Sequence, residues 1–61
     1  MQHGVRLRVQ HYRELASHFR SLAETEPLAS LRWHLRRLAA QHDEMATDLE
    51  DEEGAPRAAL G

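Results

Sequence analysis

Between residues 5 and 49 the apolar side chains of this chain recur every three or four positions in two runs, and one short segment, Glu24-Thr25-Glu26-Pro27, separates them. The first run is Val5, Val9, Tyr12, Leu15, Ala16, Phe19, Leu22 and Ala23. The second is Leu28, Leu31, Leu35, Leu38, Ala39, His42, Met45, Ala46 and Leu49, with no internal Gly or Pro. Such spacing puts each run along one side of an α-helix. The alternation Val5-Arg6-Leu7-Arg8-Val9 has the period of a strand, but a lone strand of that length has nothing to pair with, so the first helix is extended through it. Pro favours the first helical position and pushes the residue before it out of the helical region. A second helix is therefore expected to start at Pro27, capped by Glu26 or Thr25, and to stop at Gly54 and Pro56. The reading is all-α: an antiparallel two-helix hairpin with helix 1 over about 5–24 and helix 2 over about 27–53, a flexible start at 1–4 and a disordered tail at 54–61.

The chain has 61 residues, too few to bury a large core, and it has no Cys, which closes the disulfide and thiolate-zinc routes to stability. Self-association becomes the leading route, ahead of a structural metal or very regular helix packing, and a homodimer forming a four-helix bundle is the expected assembly. Its core would draw on Tyr12, Leu15, Phe19, Leu22, Leu31, Leu35, Leu38, Met45 and Leu49. Folding the runs onto each other about Thr25 sets Leu22 opposite Leu28, Phe19 opposite Leu31, Leu15 opposite Leu35, Tyr12 opposite Leu38 and Val5 opposite Met45. Arg8 then falls opposite His42, either as a buried polar layer that fixes register or with Arg8 reaching outward and His42 at an edge.

Charge is distributed unevenly behind a net value of −2. Residues 1–22 carry Arg6, Arg8, Arg13 and Arg20 against Glu14 alone, whereas residues 43–53 carry seven acids and no base. Both ends oppose their helix macrodipoles, so the layout makes sense as attraction between antiparallel helices, with Arg6 and Arg8 reaching Asp48, Glu50 or Glu52 within the hairpin or across a dimer. Arg6, Arg13 and Arg20 recur every seven residues and form a row that could follow phosphates, the basis of an alternative reading as a small nucleic-acid-binding regulator. The acidic run and the lack of a third helix speak against it.

The segment Arg32-Trp33-His34-Leu35-Arg36-Arg37 holds the single Trp among three of eight arginines. On a helix Leu35 points inward and Trp33 outward, beside Ala29, Arg36, Arg37 and Ala40. That patch either shelters Trp33 under the Arg37 stem or serves as a contact surface for another protein. His18 and His34 are expected to face each other on one flank, but two imidazoles make a weak metal site, and no metal or cofactor is expected. Ser17, Ser21 and Ser30 lie near histidines, yet a two-helix hairpin has no pocket to desolvate them, so the chain is not read as an enzyme. No apolar run is long enough for a membrane span, no leader pattern opens the chain, and a cytoplasmic protein is expected.

Tyr12-Arg13-Glu14-Leu15-Ala16, Arg20-Ser21-Leu22-Ala23-Glu24-Thr25, Leu31-Arg32, Leu38-Ala39 and Asp43-Glu44-Met45-Ala46 together form the pattern YRxLA, RxLAET, LR, LxxLA and DxMA. In this the chain resembles a group of short, uncharacterised bacterial helical-hairpin proteins, over about residues 12–50. The resemblance implies two helices and brings no activity or site residues with it. Where such proteins often carry an aromatic before the Asp, this chain has His42, which favours a polar layer there. The expected function is a non-catalytic protein–protein interaction module acting as a self-associating hairpin, with the Trp33 patch as a second contact surface.

Overall fold

The computed structural model describes the backbone of residues 2–60 and the side chains of residues 4–52. The expected flexible start (1–4, apart from Gly4) and tail (54–61) lie outside those side chains. Two helices, α1 (Gln2–Thr25) and α2 (Ala29–Leu60), pack antiparallel against each other, and there is no strand among the described residues. The two helices lie side by side in one layer, with principal extents of 48, 21 and 10 Å. One layer of two helices leaves the apolar side chains that flank the seam without cover.

The turn occupies residues 26–28, and α2 starts at Ala29, two residues beyond the expected Pro27. The hydrogen bonds explain the shift. Arg32 N–H donates to the Leu28 carbonyl at 2.9 Å, which makes Leu28 the residue before the first helical position. The Glu26 carboxylate accepts from Leu28 N–H at 3.1 Å, so Glu26 serves the start of α2 from two residues upstream. Pro27 is thus used for its extended predecessor and fixed φ rather than as the first helical residue. On the other side of the turn, Glu26 N–H donates to Ala23 O and the Thr25 hydroxyl donates to Leu22 O, which occupies two of the last carbonyls of α1. The Arg32 guanidinium spans the turn and donates to the carbonyls of Glu26 (3.1 Å) and Pro27 (3.0 Å).

Among the described residues the fully buried ones are alanines: Ala16, Ala23, Ala39 and Ala46, seven apart on each helix and each no more than 1% exposed. The larger members of the stripes, Val5, Val9, Tyr12, Leu15 and Phe19 on α1 and Leu35, Leu38, His42 and Leu49 on α2, are half-buried around them. His42 shows how the sizes interlock. Its ring lies 6.0 Å from that of Tyr12 and 5.1 Å from that of Phe19, the residues four before and three after Ala16. A large side chain of α2 therefore enters a hole on α1 whose floor is an alanine, and Ala39 and Ala46 provide the equivalent floor on α2.

The register differs from the one obtained by folding the runs about Thr25. His42 lies between Tyr12 and Phe19, nearer Phe19, where folding about Thr25 set it opposite Arg8. Two physical reasons account for this. The chain reverses around Pro27, not Thr25, and a slip of one turn keeps the same stripe facing the partner helix, so periodicity alone leaves the register open. Among the described residues the ion pairs within the hairpin are made by Arg13 and Arg20 rather than by Arg6 and Arg8.

Candidate interaction surface

Two long sides of the hairpin flank the alanine seam, and they differ in chemistry. One is lined by ions. Arg13 donates to Asp43 at 3.5 Å and to Glu50 at 2.6 Å, and Arg20 donates to the other Asp43 oxygen. Asp43 is the best covered of the four, at 30% side-chain exposure, and it joins both arginines into one network. Arg6, the third member of the seven-residue row, lines a surface groove on this side with Val5, Val9, Gln10, Arg13 and Glu50. The guanidiniums of Arg13 and Arg20 are thus matched within the hairpin itself.

The other side is apolar. Arg8, Tyr12, Met45, Asp48, Leu49 and Glu52 line a groove there. Steps of seven residues lead along α1 from Arg8 to Leu15 and Leu22, and along α2 from Met45 to Leu38 and Leu31. Leu15 and Leu38 are half-buried, while Leu22 is 42%, Leu31 44% and Met45 42% exposed. Of the residues expected in an oligomer core, Tyr12, Leu15, Phe19, Leu35, Leu38 and Leu49 are half-buried, the Tyr12 and Phe19 rings lie against His42 in the seam, and Tyr12 and Leu49 also line this groove. Leu15, Leu22, Leu31, Leu38 and Met45 form a continuous row beside the seam. Sequence periodicity groups seam and row together because both fall within one broad apolar stripe; the signal that separates them is the spacing of the alanines at 16, 23, 39 and 46.

Arg8 and His42 occupy different settings. Arg8 is exposed at the edge of the groove with Asp48 and Glu52. His42 is half-buried, and its Nδ1 lies 2.7 Å from Leu38 O. A carbonyl only accepts, so Nδ1 is the donor of this bond. This bond inside α2 satisfies one polar atom of the ring in the seam and reduces the penalty of a polar residue among Tyr12, Phe19 and the alanines.

On the outer side of α2, Trp33 is 62% exposed and the Arg37 guanidinium sits 5.4 Å above its ring. Ala29, Arg36 and Ala40 are exposed on the same half of α2, and Arg36 and Ala40 line a groove with Arg20 and Glu24. His18 and His34 are both exposed, and His18 is tilted against its neighbour Phe19. Among the described residues no three His, Cys, Asp or Glu side chains converge, and no helix is long and apolar enough to cross a membrane. Arg32, which periodicity places only as a flank of Leu35, is the one arginine of the Trp33 segment with a defined structural task, the bridging of the turn.

No family model, no curated protein and no solved structure matches the chain. What the molecule does must be read from these surfaces.

Proposed function

We propose that this chain is a small non-catalytic interaction module that works as a self-associating helical hairpin, two copies forming a four-helix bundle. The observation that carries the reading is the row Leu15, Leu22, Leu31, Leu38 and Met45, partly exposed along one side of a single layer of two helices. Contiguous apolar surface of this kind on a small protein marks a contact site. The Trp33 patch on another side offers a second surface, for a different protein, since Trp and Arg are the side chains most enriched at binding hot spots. A chain without cysteine is suited to the reducing cytoplasm, where we place it.

The reading as a nucleic-acid-binding regulator draws on Arg6, Arg13 and Arg20, and two of these already hold carboxylates. Phosphate would have to displace Asp43 and Glu50 and approach the rest of the acidic segment. Self-association is tested by sedimentation equilibrium at micromolar concentration. A species of twice the 7.0 kDa chain mass supports it, and a folded monomer across the whole range overturns it.

A further inference from the structure

Opposite charges end the leucine row at one end only, and the inference drawn from them rests on the self-association proposed above. At the turn end the row is apolar on both helices, with Leu22 on α1 and Leu31 on α2. At the open end it terminates in opposite charges, Arg8 on α1 and Asp48 and Glu52 on α2. Among the described residues the ion pairs are those of Arg13 and Arg20 on the other side, and Arg8, Asp48 and Glu52 stand together at the rim of the apolar row with no ion pair to another described side chain.

Two orientations bring two leucine rows face to face. With the turns at opposite ends, α1 lies along α1 and α2 along α2. Asp48 and Glu52 of one copy then press on Leu31 of the other, which strips water from carboxylates against an apolar surface and leaves them unpaired. With both turns at the same end, α1 of each copy lies antiparallel along α2 of the other. Leu15 and Leu22 then meet Leu38 and Leu31 of the second copy, and Arg8 comes beside Asp48 and Glu52 of the second copy, twice over by symmetry. We propose that the partner of this side is a second copy docked in the latter way, the apolar row supplying the affinity and the Arg8, Asp48 and Glu52 charges selecting the orientation.

A distance measurement decides it. Thr25 lies exposed at the turn, and the chain has no native cysteine to interfere with a single Thr25→Cys spin label. Turns at the same end place the two labels about 15–25 Å apart, the span of neighbouring helix axes plus the label arms. Turns at opposite ends separate them by about 35 Å or more, the length of a 24-residue α1. A label at exposed Ser30 gives the same contrast should the Thr25 variant misfold. Pulsed EPR and sedimentation are run on the same labelled sample. A dimer with the short distance supports the proposal. A dimer with the long distance overturns the orientation and leaves self-association standing, and a folded monomer overturns both.

Discussion

Leu31→Ala isolates the apolar row from the hairpin's own packing. Burying a Leu completely contributes about 1.5–3 kcal/mol relative to leaving it in water. Leu31 is still 44% exposed in the hairpin. Covering the remainder is therefore worth about 0.7–1.3 kcal/mol per copy. A two-fold contact uses the position twice, so the dimer loses about 1.3–2.6 kcal/mol, a rise in Kd of about 10- to 80-fold. Ala is the stronger helix former, and the helix content of the variant should match that of the parent. Leu7→Ala is the control: Leu7 is more exposed, at 66%, but shares its side of α1 with exposed Glu14 and Ser21, so its loss should leave Kd unchanged. Sedimentation equilibrium gives both constants and circular dichroism the helix content. Equal weakening by the two substitutions would refute the argument, because it would mean that any exposed leucine contributes and the row is nothing special.

Other substitutions probe the remaining layers of the design. Ala39→Leu forces a larger side chain into a position 1% exposed and should destabilise the hairpin by about 1–3 kcal/mol in urea unfolding, with lost helix signal at lower denaturant. Asp43→Asn removes the carboxylate shared by Arg13 and Arg20; these pairs are part-exposed, so the loss should stay within about 1 kcal/mol and shrink further in molar salt. Arg32→Ala deletes both bonds to the turn carbonyls and should lower stability by about 1–2 kcal/mol. Both bonds leave the single nitrogen Nη1, and an ammonium also presents several N–H groups on one nitrogen, so Arg32→Lys should recover most of that stability.

The two helices and their antiparallel course were legible because apolar periodicity and a lone Pro27 between the runs leave few alternatives. Register was not, for a reason intrinsic to helices: His42 and Leu38 are one turn apart on the same stripe, and either can face Tyr12 without disturbing the pattern. The turn settles the matter through Glu26 and Arg32, whose hydrogen bonds depend on side-chain reach rather than on spacing. The same slip explains the charges. Attraction between a basic α1 and an acidic α2 was readable from composition, but which arginines meet which acids inside one hairpin follows from the register, and among the described residues these are Arg13 and Arg20. The stripes also contained Ala16, Ala23, Ala39 and Ala46, yet weight by size favours leucines as core. Close approach of two helices reverses that order, because the residues directly between them must be small.

The position of Trp33 has a practical side. The indole stands under Arg37 on the outer side of α2, away from the leucine row, and it is the single Trp of the chain. The molecule thereby carries a built-in optical label whose surroundings stay the same when leucine rows close on one another. A concentration series should leave its emission wavelength where it is. A blue shift on adding some other macromolecule would announce contact with the arginine side, so one cuvette separates homotypic from heterotypic assembly.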